Sequence, residues 1–203
     1  MQNTFQQISL YGRLLGASFY YEPSDSRIAG VLDFFRQPTW TQEWGISLEE
    51  KACEKITALI NQGLTQDLTE QYQNLFIGPN ELVAPPWGSV YLDPECVIFG
   101  NSLLALRDFL KRHQIAFQAQ QDEPEDHIGL MLMLAAYLSE TRPHLLLEFL
   151  SQHLLTWAPH FLTKLANVEN HPFYQGLAKL TLITLDDWKQ KLNLSVPDVR
   201  FYR

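Results

Sequence analysis

The sequence predicts an all-α fold, organised as a single-domain helical bundle with one long proline-rich crossing loop. Apolar residues recur three and four positions apart along most of the chain, and no alternating strand pattern is longer than a few residues. The central stretch 78–93, GPNELVAPPWGSVYLD, carries three prolines and two glycines, which forbid a regular helix there. With 203 residues, 46% of them hydrophobic, the chain has enough apolar material for one core, and we expect one domain over residues 1–203.

The predicted helices follow from this periodicity and from the residues at their ends. The stretch 47–50, SLEE, has the form of a capping box that starts a helix. Pro124, Pro143 and Pro172 each suit the first position of a helix, where the missing N–H costs nothing. The predicted helices cover residues 5–20, 25–36, 47–63, 65–76, 100–113, 124–140, 143–155 and 172–192, with a shorter helix after Pro159.

Three further stretches complete the predicted architecture. Residues 89–92 are expected to be extended, although one short strand makes no sheet, and so is the tail 195–203, SVPDVRFYR. The run Ile128–Leu138 is apolar on every side, so we expect its helix at the centre of the bundle.

Composition and charge restrict the class of protein. The 15 basic and 23 acidic residues give a net charge of −8, which disfavours nucleic acid as a partner and favours a cationic ligand or simple solubility. The N-terminus shows no secretory signal, and the most apolar run is too short to span a membrane. Cys53 and Cys96 have no CxxC spacing and are expected to be free thiols. These features predict a cytosolic protein.

Two apolar features depart from a plain bundle. Tyr72, Leu75 and Phe76 lie on one face at the end of a predicted helix, as a binding patch or as ordinary core. Pro86 belongs to a strip whose consecutive prolines favour an extended conformation, with Trp87 mounted directly after it. An aromatic residue on a strip that is stiff before binding loses little entropy on contact. The alternative is a rigid covering loop with Trp87 inside the core.

The third feature is an acidic cluster at the start of the predicted helix 124–140. Asp122, Glu123, Glu125 and Asp126 precede His127. Acids there complement the helix dipole, which is the simpler explanation, but four like charges exceed what capping needs. A cationic ligand would relieve their repulsion, and a forked guanidinium suits a partly desolvated carboxylate better than an ammonium does.

The sequence contains no pattern typical of a catalytic or metal site. The GxSxG, HExxH, GxxxxGK[ST] and GxGxxG motifs are absent, and the histidines at 144, 153, 160 and 171 lack metal-ligand spacing. We therefore expect no metal, no cofactor and no catalysis. A nucleotide-binding regulator or a small metal-assisted hydrolase, using the acids beside His127, stays as an alternative. Another alternative is an assembly protein that packs on a folded partner.

Three segments together carry a family resemblance. YQNLFIGPNELVAPPWGSVYLD (72–93), FGNS (99–102) and EPEDHIGLMLMLAAYL (123–138) resemble, in order and spacing, the TorD/DmsD/NarJ family of redox-enzyme maturation chaperones. The similarity is greatest to the chaperones of dimethyl sulfoxide reductase, and it extends over essentially the whole chain. Each block alone is a weak signal, whereas the combination is specific.

The resemblance implies a cytoplasmic, all-helical, non-enzymatic chaperone without a cofactor. Its partner would be the twin-arginine signal peptide of a molybdoenzyme catalytic subunit, with the catalytic subunit of dimethyl sulfoxide reductase as the expected client. The precursor would be held until its cofactor is inserted and then exported through the Tat translocase. Contact with translocase components, transient association with the inner membrane, and the choice between a monomer and a domain-swapped dimer stay open.

The resemblance also implies a set of leader-binding positions. Where a tryptophan is expected in the family, this chain has a tyrosine, Tyr72, which keeps the aromatic face and implies an altered affinity. We add Glu123 and Glu125 as candidate cation contacts. Our hypothesis is that the proline-rich loop forms one wall of a groove between the predicted helices 65–76 and 124–140. The implied positions are Tyr72, Leu75, Phe76, Pro86, Trp87, Asp126 and His127.

Overall fold

The computed structural model describes residues 2–116 and 123–203 of the chain. Within these ranges the regular structure is helical, and the one β-type contact is an isolated antiparallel bridge between Trp87 and His127. The all-α prediction is confirmed. The α-helices are α1 (Gln2–Tyr20), α2 (Ala29–Arg36), α3 (Trp40–Glu43), α4 (Glu50–Leu64), α5 (Leu68–Tyr72), α6 (Ser89–Leu92), α7 (Asn101–Arg112), α8 (Ile128–Thr141), α9 (Pro143–Phe149), α10 (Ala158–Leu165) and α11 (Pro172–Lys191).

Three shorter helical turns join these elements. A 3₁₀ turn, Ser26–Ile28, leads into α2. One π-helical turn, Gln73–Ile77, continues α5, and a second, Leu150–Leu154, continues α9. A π turn inserts one extra residue into the hydrogen-bond ladder, and such turns frequently occur at functional sites.

Helix α8 forms the centre of the fold, as its all-round apolar sequence predicts. Ten of its 14 residues are buried. Helix α1 packs along it at close range, because Gly12 and Gly16 leave room for the α8 backbone: a Cβ on Gly16 would lie 2.7 Å from the carbonyl oxygen of Gly129. The end of α1 is thereby placed beside the start of α8, where the candidate site lies.

Several predicted helix boundaries are wrong. Helix α4 begins at Glu50 without a side-chain cap, because the chain before it folds inward to bury Trp44 and Ile46, and Ser47 is left exposed. Helix α8 begins at Ile128 rather than at Pro124. Residues 89–92 form the short helix α6 and are not extended.

Two proline signals for helix starts are confirmed. Pro143 and Pro172 open α9 and α11 as predicted. The tail 195–203 has neither helix nor strand. Cys53 and Cys96 are unpaired.

The proline-rich loop, residues 78–88, crosses the start of α8. The amide of Ile128 donates a hydrogen bond to the carbonyl oxygen of Pro86 at 2.8 Å, and the amide of Gly88 donates to the carbonyl oxygen of Asp126 at 3.2 Å. The loop therefore satisfies an amide of the first turn of α8, which has no partner within the helix. None of the helices in the described ranges is long and apolar enough to span a bilayer.

Candidate functional site

The bridge between the proline-rich loop and the start of α8 has a different group of side chains on each of its two sides. Side chains of consecutive residues in extended backbone point to opposite sides. His127 lies beside Trp87, with 6.1 Å between the ring centroids. The carboxylate of Asp126 points the other way, and its Oδ2 accepts a hydrogen bond from the amide of Ser89 at 2.7 Å.

On the first side, three distant segments meet at the end of α1. The hydroxyl of Tyr72 donates to the carbonyl oxygen of Tyr20 at 2.8 Å, and the ring of Tyr20 lies edge-on to His127 with 5.5 Å between centroids. The indole N–H of Trp87 donates to the carboxylate of Glu123. We call these residues, Tyr20, Tyr72, Trp87, Glu123 and His127, the Tyr20 cluster. It brings the predicted aromatic and acidic positions together.

Leu75 and Phe76 lie beneath this cluster. Both are buried, and the ring of Phe76 packs against those of Phe19, Tyr72 and Tyr174, at 6.3, 5.1 and 5.1 Å between centroids. Tyr72 is itself only 6% exposed, so it is buried almost as deeply as Leu75 and Phe76. These side chains form the floor of the cluster rather than its surface.

The acidic residues have different partners. Arg107 forms an ion pair with Glu125 at 2.8 Å, so this carboxylate is already compensated within the chain. Asp126 is buried against Ser89. Glu123 is half-buried and has no ion pair among the described residues, and burial raises the pKa of its carboxyl group. Asp122 lies outside the described residues.

His127 is held in place as a neutral side chain. Its Nδ1 accepts a hydrogen bond from the amide of Gly129 at 3.1 Å and so caps α8. Complete burial lowers the pKa of His127 to about 3, which leaves the imidazole uncharged near neutral pH. A neutral histidine adds no positive charge that would compete with a cationic ligand.

Two residues of this site were missed by the sequence analysis. Tyr20 joins the three segments, and Glu22 accepts a hydrogen bond from the side-chain amide of Gln73 at 3.2 Å. Burial raises the pKa of the Tyr72 phenol, and the carboxylates of Glu123 and Glu22 raise it further, which shows that both acids lie within electrostatic reach of Tyr72. The paired tyrosines at the end of α1 were visible in the sequence, but their contact depends on how α1 packs against α8.

The chemistry of the site is that of a recognition surface. It combines aromatic rings, a half-buried carboxylate with no ion pair in the described ranges, and backbone groups held by a stiff loop. Within the described ranges, no three acidic, histidine or cysteine side chains are grouped to hold a metal ion.

Comparisons with known proteins agree with this description. The profile of a family described as nitrate reductase delta subunit matches residues 47–163. The chain is 71% identical, over 203 residues and 100% of both chains, to a protein of Haemophilus influenzae named probable Tat proofreading chaperone DmsD. It is 41% identical to the Tat proofreading chaperone DmsD of Salmonella typhi, over 91% of this chain and 90% of that one.

More distant proteins extend the comparison. The chaperone protein TorD of Shewanella pealeana is 32% identical over 57% of this chain and 56% of its own. Among solved structures, a redox enzyme maturation protein of Archaeoglobus fulgidus matches with a TM-score of 0.55 and 16% identity, over 85% of this chain and 93% of that one. The second match supports the all-α fold.

Proposed function

We propose that this chain, which belongs to the nitrate reductase delta subunit family, binds the twin-arginine signal peptide of a molybdoenzyme precursor. The chain is a chaperone rather than an enzyme. The catalytic subunit of a dimethyl sulfoxide reductase is the proposed client, and the cytoplasm, before Tat export, is the proposed place. The hydrolase alternative is not retained. Direct contact with the translocase, transient membrane association and the oligomeric state remain predictions.

One observation supports the proposal above all others: the surroundings of Glu123. Its carboxylate is half-buried, accepts the indole N–H of Trp87 and lacks an ion pair among the described residues. A half-desolvated carboxylate gains more from a bidentate guanidinium than an exposed one does, because less solvent screens the pair. An arginine of the leader is therefore a well-matched partner for this position.

The other proposed residues divide by what they touch. Trp87 and Glu123 contact the leader directly, with the indole face available to an arginine plane or to the apolar part of the peptide. Tyr72, Leu75 and Phe76 form the aromatic and aliphatic floor. Pro86 and Asp126 hold the loop against α8, since they accept hydrogen bonds from the amides of Ile128 and Ser89. His127 caps α8 by accepting the amide of Gly129.

Calorimetric titration of a twin-arginine leader peptide tests this proposal. We expect saturable binding, and no binding by the same peptide with both arginines replaced by glutamine. Glu123→Gln should weaken the binding by about tenfold, which corresponds to about 1.4 kcal/mol. No saturable binding at tens of micromolar would refute the proposal.

Glu125→Gln is the matched control for this experiment. It changes the same residue type two positions away, but its carboxylate already pairs with Arg107. We expect it to alter the affinity by less than about twofold, since exposed pairs contribute little. Equal losses in the two variants would remove Glu123 from the binding site.

A further inference from the structure

Three residues of the tail, 201–203, lie between α10, α6 and the proline-rich loop. The ring of Phe201 stacks on His160 of α10, with 4.0 Å between the ring centroids and 8° between the ring planes. The amide of Tyr202 donates a hydrogen bond to the carbonyl oxygen of Tyr91 of α6 at 3.0 Å. We call these three residues the tail latch.

The guanidinium of Arg203 connects the latch to the proline-rich loop. Its Nη2 donates to the carbonyl oxygen of Leu82 at 2.7 Å and to the carboxylate of Glu81 at 2.8 Å. The side chain of Glu81 is 82% exposed, so this ion pair contributes little, whereas the bond to Leu82 is partly buried and has a charged donor. Nε2 of His160 donates to the main-chain oxygen of Arg203 at 2.8 Å and so fixes the backbone from which this side chain extends.

The two halves of the proline-rich loop are held in different ways. Residues 85–88 are held by the bridge to α8 and by Tyr91, whose hydroxyl donates to the carbonyl oxygen of Pro85 at 2.8 Å. In the part of the chain that the structure describes, residues 79–84 form hydrogen bonds only with Arg203. The hydrogen bonds that hold the first half of the loop therefore all come from the latch.

The latch has the properties of a segment that can open while the rest of the fold stays intact. Residues 197–200, which lead into it, are exposed. Phe201 and Tyr202 are themselves 38% and 39% exposed, so opening brings little additional apolar surface into water. Segments with few buried contacts open at free energies well below that of global unfolding. We therefore expect the latch to exchange between a closed and an open form.

The latch is connected to the leader site through Tyr91 and through the loop itself. Tyr91 is fully buried, and its carbonyl oxygen accepts the amide of Tyr202 while its hydroxyl holds Pro85, two residues before Trp87. A binding surface that is ordered before contact loses less conformational entropy when its ligand arrives. A closed latch therefore favours a loop that already presents Trp87 to the peptide.

We propose that the tail latch positions the proline-rich loop for leader binding, with Arg203 as the positioning residue. This role rests on the proposed function, because the leader is the ligand. The closed form binds the leader more tightly than the open form does, so opening of the latch favours release. Since coupling between two sites is reciprocal, bound leader closes the latch by the same factor.

Arg203→Met tests the role of the guanidinium, because it removes the donors to the loop and keeps an unbranched apolar side chain. We expect leader binding to weaken about fivefold in calorimetric titrations, which is within the usual range for coupled sites. A change in net charge alone predicts the opposite sign, since a protein that loses a positive charge attracts a doubly cationic peptide more strongly.

Arg200→Met is the matched control. It removes the same group from the same tail, but the guanidinium of Arg200 lies over the ring of Tyr202, 5.0 Å from its centroid, and has no hydrogen bond to the loop among the described residues. Its affinity for the leader should change by less than about twofold. Phe201→Ala removes the stacking on His160 and should weaken binding by about the same factor as Arg203→Met. All three variants should unfold close to the urea midpoint of the unaltered chain.

Hydrogen exchange at the amide of Tyr202 tests the reciprocal effect in the unaltered chain. This amide is bonded to Tyr91 only in the closed form, so its exchange rate, measured by NMR, reports how often the latch opens. Saturating leader should slow this exchange by about the factor by which Arg203→Met weakens binding. The amide of Asn193, which bonds to Gln190 outside the latch, should keep its exchange rate.

The outcomes separate the latch from the proposed function. If the unaltered chain shows no saturable leader binding, the proposed function fails, and the role of the latch fails with it. If the leader binds but either the loss of affinity in Arg203→Met or the slower exchange at Tyr202 is missing, only the latch is refuted and the leader site stands. Tighter binding by Arg203→Met also refutes the proposed role, because the latch would then compete with the leader.

Discussion

The Tyr20 cluster and a cavity beside Asp126, which Leu106, Met131 and Trp157 also line, lie on opposite sides of one backbone bridge. They contain similar groups but differ in burial. Each contains a tryptophan and a carboxylate without a cationic partner among the described residues. In the cluster, Trp87 and Glu123 are half-buried and hydrogen-bonded to each other. In the cavity, Trp157 is 1% exposed and Asp126 is 3% exposed.

This difference shows how one short pairing of chain segments can present two kinds of site. An open aromatic and acidic surface can accept an extended peptide of varied sequence, because much of the peptide stays in solvent. A buried carboxylate beside a cavity of about 220 Å³ is accessible only to a small group. Neighbouring residues face the two sides, because Trp87 and His127 belong to the cluster while Gly88 and Asp126 line the cavity. Changes in the loop are therefore expected to affect both sides.

The largest expected effect separates the two tryptophans. Trp157→Ala should lower the free energy of unfolding by about 3–5 kcal/mol, because it removes a fully buried aromatic side chain and leaves a large void. Trp87→Ala should lower it by only about 1 kcal/mol, since part of the side chain is already in solvent. Urea denaturation measures both values.

Leader titration completes this comparison. Trp87→Ala should lose leader binding despite its near-normal stability, whereas Trp157→Phe, which keeps an aromatic wall, should fold and bind the leader. If the two alanine variants lose equal stability, the contrast between an open and an enclosed side is wrong.

A smaller effect is expected where the two sides meet, at Gly88. A Cβ at this position would lie 2.7 Å from Nε1 of Trp157, so Gly88→Ala must displace the loop or the indole. We expect a loss of about 1–3 kcal/mol in stability, together with weaker leader binding. In contrast, a Cβ on Gly30 of α2 has no neighbour within 4 Å, and Gly30→Ala should stabilise the helix by about 0.5–1 kcal/mol. A Gly88→Ala protein as stable as the Gly30→Ala control would contradict the close packing of the loop on Trp157.

The helical architecture was predictable because apolar periodicity and proline positions report directly on helices. Pro143 and Pro172 open α9 and α11 as their sequence context indicates. The boundary at Pro124 was wrong for a tertiary reason. The first-turn amides of α8 bond to Pro86 and His127, so the helix begins where those acceptors lie rather than at the proline.

The site was predictable in part for the same reason. Our hypothesis placed Trp87, Asp126 and His127 along one groove. The bridge between Trp87 and His127 agrees with it for these two residues, whereas the carboxylate of Asp126 points to the other side of the bridge. The contributions of Tyr20 and Glu22 depend on the packing of α1 against α8, and the side to which Asp126 points depends on backbone pairing. Neither is encoded in local sequence.

The smallest expected effect concerns pH and again distinguishes neighbouring acids. Burial raises the pKa of Glu123 above its usual value, so its carboxylate becomes protonated at a higher pH than that of an exposed glutamate. Leader binding requires the ionised form. We therefore expect the affinity to fall by about two- to threefold between pH 7 and pH 5 in calorimetric titrations.

The affinity for the leader and the stability of the free protein are expected to change with pH in opposite directions. A raised pKa means that ionised Glu123 costs the folded protein stability, and this cost grows as the pH rises above the carboxyl's unfolded value. Protonation should thus stabilise the free chaperone slightly while it weakens leader binding. Glu123→Gln should remove the pH dependence of binding, and Glu125→Gln should keep it. If leader binding by Glu123→Gln still depends on pH, another carboxyl group is responsible. The same titration with Asp126→Asn would then show whether that group is Asp126.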